Sequence, residues 1–216
     1  MSVHWLTDVR PGESVELLRS YVRSSGGSDK GAAMAAIVST DDPSADAAMQ
    51  EFVSASSPVD LRKDAVFWLG AARGQKGYEM LRTIVKVDPD DEVRDRAVFA
   101  LSISPVHEAI DTLIDEARHD PNSHLREQAL FRLAQKAGSK VAGIISTAAE
   151  NDPDAEVKKK AVFALAQLPP DQGVPLLIKV AQTNRSPEVR KQAFFWLGQS
   201  HDARALAFIT QVLTEG

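Results

Sequence analysis

An aliphatic residue, then Arg or Lys, two variable residues, Ala, an apolar residue, Phe, one variable residue and Leu recur five times along this chain. The copies begin at 61, 93, 125, 157 and 189, always 32 residues apart, over Leu61–Gly70, Val93–Ser102, Leu125–Ala134, Val157–Ala166 and Val189–Gly198. A fixed period of this length means that each unit is one supersecondary element. Such a unit cannot bury its apolar face alone, so neighbours must stack.

Each unit reads as two helices. Val93, Ala97, Ala100 and Leu101 recur at helical spacing, which predicts a helix over about 90–103. Ser104-Pro105 ends it, because proline lacks a backbone donor and disfavours helix at the residue before it. Ile110, Leu113 and Ala117 then share one face of a second helix. Their counterparts are Tyr78/Leu81/Val85, Ala142/Ile145/Ala149, Val174/Leu177/Ala181 and Leu206/Ile209/Leu213. Asp90, Asn122, Asp154 and Ser186 stand where N-caps are needed, and Ser57 can cap the remaining repeat with Pro58 as its first helical residue. Upstream the period fades: Ala33 and Ile37, then Met49 and Val53, mark a degenerate hairpin over about 29–55. Val15, Leu17, Leu18 and Tyr21 suggest one more helix before the loop Ser24–Ser28. The expected organisation is one continuous domain. Residues 1–56 form a degenerate N-terminal cap, and 57–216 form five repeats at 57–88, 89–120, 121–152, 153–184 and 185–216.

The segment Val-Arg-x-x-Ala-x-x-x-Leu-Gly followed by a second apolar helix, clearest at Ser186–Gly198, resembles the HEAT repeat in its short bacterial, phycobilisome-lyase-like form. The resemblance implies an all-α fold: a right-handed α-α superhelix (HEAT-repeat solenoid) with two antiparallel helices per 32-residue repeat. Members of the family are mostly interaction scaffolds, with some phycobilin lyases, deoxyhypusine hydroxylases and DNA glycosylases. The hydroxylases hold two irons on several His-Glu pairs, and this chain has His107-Glu108 alone.

Composition narrows the function classes. The 216 residues carry a formal net charge of −5, which argues against nucleic-acid or membrane-surface partners. There is no cysteine, hence no disulfide or thiol chemistry, and apolar runs are too short to span a bilayer. Met1–Trp5 lack the basic start of a signal peptide. The expected location is therefore soluble and cytoplasmic, or periplasmic or secreted if a leader once stood upstream. The histidines keep no ligand spacing, and neither a phosphate loop nor a nucleophile elbow occurs. The chain is accordingly expected to be no enzyme and to need neither cofactor nor metal.

Two ladders and one groove remain. Arg62, Arg94, Arg126, Lys158 and Arg190 give one cation per layer, four of them just after an acid at 60, 92, 156 and 188. An anion rail is one reading. The weightier one is that each cation bridges to a carboxylate or helix end across the repeat seam. Phe67, Phe99, Phe131, Phe163 and Phe195 give one ring per layer. At about 100° per residue, Phe67 lies roughly 150° from the centre of the apolar arc, so the rings form an outer stripe. They either dock a partner or lie flat as cover over neighbouring helices. Trp68 and Trp196 fall near the core arc, and Arg132 at the same register is anomalous. The second helices supply a concave groove: Glu79, Arg82, Thr83 and Lys86; Asp111, Ile114, Asp115 and Arg118; Gly143, Ser146, Thr147 and Glu150; Lys179 and its neighbours. Its formal charges cancel, which suits a protein or peptide and not a phosphate backbone. The expected function is therefore a scaffold binding another protein or peptide through Phe67, Phe99, Phe131, Phe163 and Phe195, or through Arg82, Asp111, Asp115, Arg118 and Lys179. The alternative is a phycobilin-lyase-like or chaperone-like module handling a hydrophobic cofactor.

Overall fold

A computed structural model describes residues 9–24, 28–136 and 139–215. Among them the chain forms thirteen helices and no strand, and it divides into two compact units, Met1–Ala109 and Ile110–Gly216. The first unit holds α1 (Pro11–Ser24), α2 (Ser28–Ser39), α3 (Pro43–Phe52), α4 (Val59–Ala72), α5 (Gly74–Val87) and α6 (Asp91–Ile103). The division falls within α7 (Glu108–His119). The second unit holds α8 (Ser123–Ala134), α9 (Ser139–Asn151), α10 (Ala155–Ala166), α11 (Pro170–Thr183), α12 (Pro187–Gln199) and α13 (Ala203–Glu215).

Helical hairpins stack in two layers inside each unit. In the first, α2, α4 and α6 pack in succession, and in the second, α8, α10 and α12 do; these are the first helices of the repeats. In the second unit α9, α11 and α13 form the other layer. The repeated Ala and Leu do the packing: Ala65, Ala97, Ala129, Ala161 and Ala193 are fully buried, as are Leu69 and Leu133. A small residue at that register lets helix axes approach, and glycine takes this further. A Cβ on Gly70 would lie 2.4 Å from the Ala100 carbonyl oxygen, so α4 meets α6 backbone to backbone.

The junctions between repeats carry the polar order. Asp88, Asp120, Asp152 and Asn184 stand 32 residues apart. Each accepts the backbone N–H two residues on, at 2.8–3.0 Å. Those next residues are the predicted N-caps. Asp90 accepts from Glu92 and Val93, Asn122 from His124, Asp154 from Glu156 and Val157, and Ser186 from Val189. Ser57 does not cap: its hydroxyl donates to the Glu51 carbonyl, and Pro58 precedes α4 without a side-chain cap.

The basic ladder closes the same junctions. Arg126 makes two 2.9 Å bonds to Asp152 and a third, of 2.8 Å, to the Asp120 carbonyl, so it spans two successive junctions. Arg62 pairs with Asp88 at 2.5 Å, and both pairs are almost wholly buried. Arg94 donates to the Val85 carbonyl and Arg190 to that of Asn184. Where the junction acid becomes Asn184, the ladder cation is Lys158, which forms no ion pair among the described residues; Asn184 instead donates its amide to Ala149. The acids beside the ladder are occupied elsewhere: Glu92 with Lys63, Glu156 with Lys159, and Glu188 with the Ser186 hydroxyl.

Burial departs from the expected stripes at two places. Ile114 and Ser146, assigned to the groove, are buried instead (5% and 6% exposed), because the layer of second helices is packed more widely than a single stripe. In α13 the buried residues are Ala205 and Phe208, with Phe208 stacked on Phe194, while Leu206 and Leu213 stand exposed.

Four stability outcomes follow from this packing. Asp152→Ala removes an Asx turn and strands a buried guanidinium, so urea unfolding should show a loss of about 3–5 kcal/mol; Asp152→Asn keeps the turn and should cost clearly less. Gly70→Ala should destabilise by about 1–3 kcal/mol through forced separation of α4 and α6. The same change at Gly198, which has open space where a Cβ would sit, should stabilise by about 0.5–1 kcal/mol. Burial raises the Asp46 carboxyl, but hydrogen bonds from Lys76 and Arg73 outweigh it and hold the group below its ordinary value of 3.8. Its contribution is thus complete above that value and lost as pH falls through the lower folded one. Melting temperature should drop in that acid range, and less steeply in Lys76→Gln.

Candidate functional site

The layer of first helices presents the phenylalanine ladder. In the first unit Phe67 and Phe99 are half-buried and stacked, with centroids 6.3 Å apart and planes within 9°. The Arg96 guanidinium lies over both rings, 4.9 Å and 5.2 Å from their centroids. One guanidinium thus makes a cation–π contact with both rings at once.

The second unit lays its rings out differently. Phe131 stacks on Phe163 at 6.2 Å; Phe163 meets Trp196 at 5.1 Å, and Trp196 meets Phe195 edge to face at 5.0 Å. Phe195 is 53% exposed, and the other rings of the run are half-buried. Arg132 places its guanidinium 5.4 Å from the centre of the Phe131 ring, which accounts for a cation at a register where Trp stands in α4 and α12. Lys160 and Lys191 precede Phe163 and Phe195 by three and four residues, which puts each on the same helix face as its ring. Both are exposed, and neither forms an ion pair among the described residues.

Behind Trp196 lies a cavity of about 260 Å³ bounded by α10, α11 and α12. Leu165, Leu168, Val174 and Leu177 are its buried apolar walls, and the exposed Gln167 and Gln199 also line it. Trp196 Nε1 is buried without an acceptor among the described residues. Sequence reasoning gives Trp196 the role of core filler; the cavity goes unseen there, because no residue type announces an empty volume between three helices.

The groove candidates lie on the opposite layer. Arg82, Asp111, Arg118 and Lys179 are exposed, and Asp115 is half-buried. Asp111 is paired with Lys140 at 2.6 Å, Lys179 with Glu150 at 2.7 Å, and Asp115 with His119 at 2.9 Å. Solvated pairs of this kind hold little energy. In the first unit an open hollow of about 520 Å³ is lined by Asp46, Lys76, Glu79, Met80 and Thr83. Among the described residues no group of three His, Cys, Asp or Glu side chains could hold a metal, and no helix is long and apolar enough to cross a membrane.

The comparisons with known proteins bear on the fold. A family model for HEAT repeats matches residues 47–134 and 144–216. No curated protein matches the chain by sequence. Among solved structures it is similar to human deoxyhypusine hydroxylase in complex with glycerol, at 15% identity and a TM-score of 0.41, over 93% of this chain and 90% of that one. It is also similar to the complex of CpcE and CpcF of phycocyanin lyase from Nostoc sp. PCC7120, at 21% identity and a TM-score of 0.44, over 97% and 84%. These likenesses speak to the fold alone. One expectation falls with them: the chain was to be no enzyme, yet proteins of this architecture include a hydroxylase and a lyase, so the fold gives that expectation no footing.

Proposed function

The chain belongs to the HEAT-repeat family, and from that premise we propose that it binds another protein or peptide through the aromatic run of its second unit. The observation that carries this reading is the continuous contact of Phe131, Phe163, Trp196 and Phe195 with Phe195 more than half exposed. Aromatic rings give large contact area at small cost in side-chain entropy, and helices locked by packing lose little further freedom on binding. The stacked Ala and Leu core supports the second point, since it holds the rings before any partner arrives.

The test uses peptides selected from a displayed library against the full chain, then measured one by one. Phe195→Ser should weaken the selected peptides by at least about thirtyfold, the low end of a hot-spot loss, with melting temperature little changed. The paired charge reversals Arg82→Glu and Lys179→Glu should leave affinity as it is. Peptides indifferent to Phe195→Ser but lost with Arg82→Glu and Lys179→Glu would move the contact to the second-helix layer and overturn the reading.

A further inference from the structure

Resting on that reading, we propose that the cavity behind Trp196 seats one bulky apolar side chain of an acidic partner segment, whose carboxylates lie on Lys160 and Lys191. Three observations meet at this place. The first is shape: about 260 Å³ walled by Leu165, Leu168, Val174 and Leu177 holds a large aliphatic or aromatic side chain. Filling it removes apolar surface from water on both partners.

The second is polarity. Gln167 and Gln199 carry exposed side-chain amides that bond to no other described residue, and each offers both a donor and an acceptor. An extended segment crossing the cavity needs such groups for its backbone.

The third is charge and distance. Lys160 stands six residues before Ala166 on α10, and Lys191 eight before Gln199 on α12. At about 1.5 Å per helical residue the backbones of these lysines sit roughly 9–12 Å from Ala166 and Gln199 along the helix axes. An extended chain covers that in about three or four residues. Both lysines rise from the aromatic face, and Glu127 lies within electrostatic reach of Lys160 without forming an ion pair. The chain as a whole is acidic, so an acidic segment is steered to this face by local charge and not by the overall field. The segment recognised thus has an apolar anchor and a carboxylate three or four positions away.

The experiment follows Trp196 fluorescence in the full chain carrying Trp5→Phe and Trp68→Phe, with short synthetic peptides as probes. A peptide holding Phe and Glu at that spacing should shift the emission and bind about tenfold tighter than its Glu→Lys counterpart, with an affinity that falls as salt rises. Lys160→Glu with Lys191→Glu should reverse the preference, and Ala166→Phe should block the cavity and abolish the emission shift. Both lysines are exposed, so circular dichroism should stay that of the parent. Equal binding of the Glu and Lys peptides, or binding that survives Ala166→Phe, overturns the inference. The binding role stands if Phe195→Ser still weakens library-selected peptides and falls if it does not. Displacement of the acidic peptide by an oligothymidylate would assign the face to nucleic acid and overturn both.

Discussion

A buried arginine held between two successive turns is the contact on which the rest of this structure leans. Arg126 reaches back to the Asp120 carbonyl and forward to the Asp152 carboxylate, so the spacing between one repeat start and the next is fixed by a single rigid side chain. The planar fork of guanidinium suits this task, since it supplies several donors in one plane and keeps its charge when buried. Asp152 in turn holds the Asp154 amide, and Asp154 caps α10. Apolar burial supplies the driving force for stacking but is indifferent to small slips. The polar chain at each junction is what makes the register exact.

That register has a consequence for the surface. Because every first helix starts at a fixed point, residue seven of each copy falls at the same height, and rings from adjacent helices meet at about 6 Å in near-parallel planes. The two units then finish the stripe differently. Arg96 covers the pair in the first, whereas in the second the run passes through Trp196 to the open ring of Phe195. One sequence rule therefore yields a ring pair under a guanidinium in the first unit and a run that ends on an open ring in the second.

Much of this was legible before any coordinates. Helical spacing of Val93, Ala97 and Leu101 places α6, and a proline at 105 ends it, because both effects are local. The cation ladder was legible as a seam device, but its partners were not. The acids next to it in sequence point into solvent at helix starts, and the ones it uses lie 26 residues away at 88 and 152. The repeated Asp-Pro-Asp or Asp-Pro-Asn at 88, 120 and 152 was the signal available for them. Ser57 failed as a cap because its hydroxyl found the Glu51 carbonyl first. The stripe of α13 failed because it was transferred from repeats whose second helix is covered on more than one side. The cavity behind Trp196 was invisible for a plainer reason: an unfilled volume is a property of three helices at once, and no window of sequence contains it.

The exchange of Lys158 and Asn184 for the Arg and Asp found in other layers shows how such an array can drift. Both members of the pair changed, and the amide took up a new acceptor at Ala149, so neither a lone cation nor a lone carboxylate was left inside. The polar partners at these seams all lie within little more than one period of each other. Gene duplication can copy such a block, or deletion excise it, without leaving any inward charge stranded, and arrays of this kind can vary in length more readily than a globular core can vary in size.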